Sequence, residues 1–298
     1  MSNKLLISTI CSGALLLTAC GGGDDDNQPS FNGKEKLDYK KLETTHIITE
    51  PVVNLSNSSE NLLFYIDMLA QGIYESTSQS DFLCETGTVK INSDKSVTLN
   101  NCKNFKIPSQ GTQFSGIVSG TIQSNNNNTT AVKKNELNLS NLNIDLTEDT
   151  LLFNGKIIHT STLPNSGLLS DTYETEQSTL KYVEKINNKD YYLYTLNNYQ
   201  FISKYYILND RIEDFAKGKI NGEFNGKVFS VNFASNFNFS TAEDLFDFKP
   251  NSANVEITDQ YNQKNTISIR QATNGAALVN TYADGKLVQS FSQDWNDF

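Results

Sequence analysis

From Cys84 to the end of the chain, short runs of alternating apolar residues are broken by turn-forming residues about every 8–12 positions. Phe229, Val231, Phe233, Phe237 and Phe239 alternate after Asn225-Gly226, the strongest two-residue hairpin signal in the chain. Val255 and Ile257, Ile267 and Ile269, Leu278 to Tyr282 and Leu287 to Phe291 follow, with turns at Asn274-Gly275 and Asp284-Gly285. Period-two patterns separated by tight turns predict a mainly β protein, an antiparallel β-meander in one or more sheets.

Earlier strands read the same way. Phe114, Gly116, Val118, Gly120 and Ile122 share a face, and the glycines suggest curvature or a close neighbour. Leu137, Leu139, Leu142, Ile144 and Leu146 carry a parity change. Leu151, Phe153 and Ile157 make another strand, and strands are expected near Leu180–Ile186, Tyr191–Leu196 and Phe201–Leu208. The polar stretch Leu163–Gln177, with Pro164 and Gly167, divides the chain into two similar halves, 46–163 and 164–298. One amphipathic helix is expected on the sheet. Asn57 caps it, Glu60 completes a capping box, and Leu62, Ile66, Leu69, Ala70 and Ile73 share one face. Ile47, Ile48, Val52 and Val53 flank Pro51 and read as an edge-like extended segment.

The N-terminus carries a different signal. Lys4 precedes a mostly apolar run from Leu5 to Leu17, too short to span a bilayer but the length of a secretory h-region. It ends in Leu17-Thr18-Ala19-Cys20. This resembles the lipobox of bacterial lipoproteins. The resemblance implies a signal peptide over 1–19, cleavage after Ala19, and a Cys20 diacylated on sulfur and acylated on nitrogen. It also implies the lipoprotein processing and sorting machinery as partners, and a membrane held through the lipid. In that class Asp after the cysteine retains the protein at the inner membrane. Gly21 stands there, so the implied destination is the outer membrane. Gly21-Gly22-Gly23-Asp24-Asp25-Asp26 opens a tether over 20–45, a flexible coil of about 25 residues with a reach of roughly 25–30 Å.

Two further stretches resemble a loose group of proteobacterial lipoproteins. One runs from Cys84-Glu85-Thr86-Gly87 through Asn101-Cys102 to Phe114-Ser115-Gly116 and Gly120. The other runs from Pro250-Asn251-Ser252-Ala253 to Thr258-Asp259, through Asp284-Gly285-Lys286 to Trp295. The resemblance implies a fold more than an activity. Relatives often carry an acidic Asp/Gly repeat where only Asp284-Gly285 stands, so a calcium loop is not supported.

Charge and cysteines bound the function. Lys and Arg number 24 against 34 Asp and Glu, a formal net charge of −10, which argues against nucleic acid or anionic lipid bound through bulk electrostatics. Cys11 leaves with the signal and Cys20 carries lipid. Cys84 and Cys102 remain to pair in an oxidising compartment, closing a loop worth roughly 3 kcal/mol. A hairpin centred on Ser93 sets Cys84 opposite Cys102 and Val89 opposite Val97. Strict alternation then puts the cysteines on the face opposite the valines. Either the bridge lies on the outer face or a bulge near Gly87 flips the parity.

Catalytic signals are sparse. No G-x-S-x-G elbow, Walker loop, dinucleotide fingerprint or H-E-x-x-H occurs. His46 and His159 lie far apart and lack nearby Ser or Cys, and zinc lacks ligands, so no metal or cofactor beyond the lipid is expected. Glu174 and Glu176 share a strand face, as a glycosidase pair would, or line a solvated loop. Tyr191, Tyr192, Tyr194, Tyr199, Tyr205 and Tyr206 cluster. The first four are candidate ligand contacts, since a tyrosine ring stacks sugars or peptides, but they equally furnish the half-wet face of a sheet. Three functions fit: a noncatalytic envelope protein that binds or scaffolds, a carrier of a lipid or hydrophobic ligand in a half-open barrel plugged by the helix, and a cell-wall hydrolase.

Overall fold

The computed structural model describes residues 33–78, 84–107, 112–113, 115–129, 131–146, 149–162, 167–184 and 190–298. Alternation becomes strand along most of this length. The strands are β1 (Glu35–Lys36), β2 (Thr86–Ile91), β3 (Val97–Lys103), β4 (Lys106–Ile107), β5 (Thr112–Gln113), β6 (Gly116–Asn128), β7 (Val132–Leu146), β8 (Asp149–Thr162) and β9 (Leu168–Glu184). They continue as β10 (Asp190–Tyr206), β11 (Arg211–Phe224), β12 (Lys227–Phe239), β13 (Ser252–Asp259), β14 (Thr266–Gln271), β15 (Ala277–Ala283) and β16 (Lys286–Gln293). The helices are α1 (Leu42–Asn54), α2 (Leu62–Ser78) and the short α3 (Ala242–Phe246). Fourteen strands form one sheet in the order β16-β15-β14-β13-β12-β11-β10-β9-β8-β7-β6-β3-β2, with β1 parallel to β12. It is a mainly β, antiparallel meander that does not close into a barrel.

Hairpin turns sit where Asn-Gly and Asp-Gly predict them. Asn225 and Gly226 have φ of 50° and 75°, and Asp284 and Gly285 have 52° and 76°, the positive pairs a type I′ turn requires.

One repeated device bends the sheet. In Leu99-Asn100-Asn101-Cys102, Leu139-Ser140-Asn141-Leu142 and Leu196-Asn197-Asn198-Tyr199, the outer residues are buried and the third-position Asn is left-handed, at φ 48°, 50° and 48°. The strand register shifts at each of these sites. An extra residue makes two inward side chains three positions apart, which is the parity change read in β7. A neighbouring strand approaches closely at each site. A Cβ on Gly120 would lie 2.7 Å from Asn141 O, one on Gly218 2.9 Å from Tyr199 Cα, and one on Gly87 would overlap Asn101 O. Bulges add twist, so the sheet curls around α1 and α2.

The same device settles the cysteine parity. Cys84 and Cys102 are bridged, with Cα atoms 5.3 Å apart. The hairpin register differs from the one centred on Ser93. Val89 pairs with Leu99 and Ile91 with Val97, and two steps from Thr86 to Thr88 face three from Asn100 to Lys103, so the extra residue lies in β3 at Asn101, opposite Gly87. Val97, Leu99 and Cys102 then all face the core.

Several expectations need correction. The extended segment around Pro51 is helix α1, with Pro51 inside it. Ile48, Val52 and Val53 are wholly buried. That packing outweighs a proline whose missing N–H and ring cost about 3 kcal/mol in a helix interior. So two helices, not one, lie on the sheet. The second begins at Leu62, later than expected, because the cap is Asn61. Its Oδ1 accepts from Leu63 N at 3.0 Å, whereas Asn57 Oδ1 serves the preceding turn through Glu60 N at 2.9 Å. Leu63, Ile66, Leu69, Ala70 and Ile73 form its buried face, and Leu62 is half-buried. Part of the span 20–45 read as tether is structured: it holds β1 and the start of α1, Lys34 pairs with Glu223 at 2.5 Å, and Tyr39 is buried. The stretch from Leu168 to Gln177 is strand, and β8 pairs with β9, so the two halves share one sheet. Tyr191–Leu196 and Phe201–Leu208 are one strand, β10, continuous through the bulge at Asn198 to Tyr206.

Candidate functional site

Helix α2 crosses the sheet, and each turn of it meets a different strand. Asn61 Nδ2 donates to Tyr199 Oη in β10 at 2.8 Å. Phe64 stands edge-on to Tyr173 in β9, ring centroids 5.8 Å apart. Asp67 meets His159 in β8, and Gln71 Oε1 accepts from Asn135 Nδ2 in β7 at 2.7 Å. Asn135, His159, Tyr173 and Phe201 are successive cross-strand partners, one row under one helix.

His159 is the centre of this row. Its Nδ1–H donates to Asp67 Oδ2 and its Nε2–H to Asp171 Oδ1, each at 3.1 Å. Its ring stacks on Tyr173 with centroids 4.2 Å apart. Burial alone would lower the imidazole pKa, but the hydrogen bonds and charges of Asp171 and Asp67 outweigh it and raise it to about 9. His159 is therefore a cation at neutral pH, clamped between a helix carboxylate and a strand carboxylate. Burial would raise the Asp171 pKa, yet the bonds from His159 and Ser161 hold it below the ordinary value.

The next row is Ser161, Asp171, Ser203 and Asp214. Asp214 is fully buried. Its Oδ2 accepts from Ser58 N at 2.8 Å and Ser58 Oγ at 2.9 Å, which docks the α1–α2 turn on β11. Burial raises its pKa to about 6 against the opposing hydrogen bonds of Ser203 and Ser58. Asp67 Oδ1 and Asp214 Oδ1 are buried with no hydrogen-bond partner among the described residues.

The chemistry follows from the protons. A general-base or metal-binding histidine needs a free ring lone pair. Both nitrogens of His159 carry donated protons, so it offers neither. Among the described residues no group of three or more His, Cys, Asp or Glu is placed to hold a metal ion. The cluster ties α2 to the sheet.

The other predicted residues separate. Tyr194 and Tyr199 are core residues, which corrects their reading as ligand contacts. Tyr199 is buried, and its hydroxyl donates to Leu55 O at 2.7 Å. Tyr194 is buried with its ring 6.5 Å from that of Phe229. The side chains of Tyr191 and Tyr192 lie outside the described residues. The hydroxyls of Tyr205 and Tyr206 donate to Asp210 and Glu213 at 2.9 Å. Glu174 accepts from Gln200 at 2.6 Å, and Glu176 is exposed. His46 sits in α1 with its ring 5.5 Å from Phe291, apart from His159. Ala19 and Cys20 lie outside the described residues. Sequence reasoning missed Asp67, Asp171 and Asp214. The one available signal was an acid, Asp67, flanked by Ile66 and Leu69 on the apolar face of α2.

No known protein family matches the chain, and no curated protein or solved structure is significantly similar to it.

Proposed function

We propose that this is a lipid-anchored envelope protein, cleaved before Cys20 and held in the outer membrane by acyl chains on that residue. Its β body binds or scaffolds without catalysis. The observation that carries the reading is Leu17-Thr18-Ala19-Cys20 at the end of an apolar run, followed by Gly21. One acyl chain binds a bilayer only marginally, and two or three hold a protein firmly. The Cys84–Cys102 bridge suits the oxidising compartment to which such a signal leads.

Two observations favour binding over catalysis or carriage. The half-buried His159 has both nitrogens committed to carboxylates. The concave face that a carrier would leave open to an acyl chain is filled by Ile48, Val52, Leu63, Ile66, Leu69 and Ile73.

The test is the Cys20→Ala variant in the producing cell. The native chain is expected in the outer-membrane fraction and in the detergent phase on partitioning, and the variant in neither. Unchanged processing and partitioning in the variant would overturn the reading.

A further inference from the structure

The chain enters the body at one end of the sheet. β1 pairs with the start of β12, Glu35 opposite Lys227, and Leu37 N donates to Val228 O. The turns around Asn225-Gly226, Tyr261–Asn265 and Asp284-Gly285 lie at this end. Lys36 Nζ sits 4.2 Å from the ring centroid of Tyr261, Gly285 N donates to Lys264 O, and Gln289 Nε2 donates to Lys40 O.

Charge here runs against the acidic whole. Lys34 and Lys227 are neutralised by Glu223 and Glu35. Lys36, Lys40, Lys41, Lys264 and Lys286 are exposed and make no ion pair among the described residues. Asp38, Glu43 and Asp284 are the exposed carboxylates that oppose them. Apolar side chains stand between the lysines: Leu42 is 50% exposed, Tyr261 39%, Leu287 54% and Val288 38%. At the opposite end, Asp210, Glu243, Asp244, Asp247 and Asp294 gather around Lys249 and Arg211, which are already paired with Asp247 and Glu213.

We infer that the lysine-bearing end is a second membrane contact, which rests on the anionic headgroup layer of the bilayer that holds the Cys20 lipid. This rests on the lipid-anchor reading. Twelve residues lie between Cys20 and Gly33, and even fully extended this stretch spans at most about 45 Å. The anchor therefore keeps this end close to the surface at high effective concentration. Lysine ammonium groups meet lipid phosphates, and Leu42, Tyr261, Leu287 and Val288 enter the interfacial layer. The acidic end points away, where a partner in the envelope can reach it.

The test uses the protein purified from envelopes, with a fluorophore on Gln263→Cys or on Asn209→Cys. Vesicles contain phosphatidylethanolamine and phosphatidylglycerol with a headgroup-spin-labelled lipid as quencher. The label at position 263 is expected to be quenched and that at 209 spared. Each lysine near the surface contributes a factor on the order of five. The contrast should therefore collapse when phosphatidylcholine replaces phosphatidylglycerol, and in the Lys40→Glu/Lys41→Glu/Lys264→Glu variant, whose exposed positions leave the melting temperature unchanged. Equal quenching at both positions, or a contrast indifferent to lipid charge and to the lysines, would overturn the inference. The mass of the N-terminal peptide from the same preparation separates the two readings. Acylated Cys20 without contrast removes the docking face alone. Unmodified Cys20 with the contrast intact removes the anchor alone.

Discussion

Asp214→Asn should make the protein more stable at neutral pH, although it removes a side chain with bonds to the α1–α2 turn. The carboxyl is fully buried, and its Oδ1 has no partner among the described residues. Its pKa rises from an ordinary 3.8 to about 6 in the fold. An acid that holds its proton more tightly when folded loses folding stability as pH climbs from the unfolded to the folded pKa. At roughly 1.4 kcal/mol per unit, the folded state is about 3 kcal/mol less stable above pH 6 than below pH 4 on account of this group. Asparagine keeps the shape and an acceptor for Ser58 N–H, and it carries no charge to desolvate. Urea unfolding at pH 4 and pH 7.5 measures the difference between variant and native chain, with unchanged m-values confirming two-state comparison. That difference should be near zero at pH 4 and reach about 3 kcal/mol in favour of the variant at pH 7.5. A variant less stable than the native chain at pH 7.5, or a difference that ignores pH, would refute the burial argument and point to a cation compensating Asp214.

His159 should titrate by NMR with a midpoint near 9, and the stability its charge supplies should be complete below pH 6.5 and fade as pH rises through 9; a midpoint near 6.5 would mean the two carboxylates do not hold it. Gly120→Ala should destabilise by about 3 kcal/mol or more in chemical denaturation, because φ is +129° and the new Cβ meets Asn141 O. Gly226→Ala, also at positive φ but with open space around it, should cost only about 1 kcal/mol; equal losses would deny the close approach. Reduction of Cys84–Cys102 should cost about 3 kcal/mol for its separation of 18 residues, read as a lower urea midpoint in reductant.

Much of the architecture was legible because strand patterns are local. Asn225-Gly226 and Asp284-Gly285 announce their hairpins through backbone preference, and the parity change from Leu139 to Leu142 is the trace of a bulge. Helix α1 was not legible, since Pro51 weakens the local helical signal and only the curled sheet rewards Ile48, Val52 and Val53 for forming it. Asn61 was hidden behind Asn57, an equally good cap residue four positions earlier. The His159 cluster is long-range: Asp67 lies 92 residues away, and its meeting with the histidine depends on α2 crossing β8. Asp214 lies between Ile212 and Ala216 on the buried face of β11, a strand the alternation alone did not announce, and the turn at Ser58 docks on it.

The mass of the mature N-terminal peptide bears most directly on what anchors this protein. The expected product begins at Cys20 and carries a diacylglycerol on sulfur and a third acyl chain on nitrogen. A chain that retains Ala19, or a Cys20 with no lipid mass, would contradict the account.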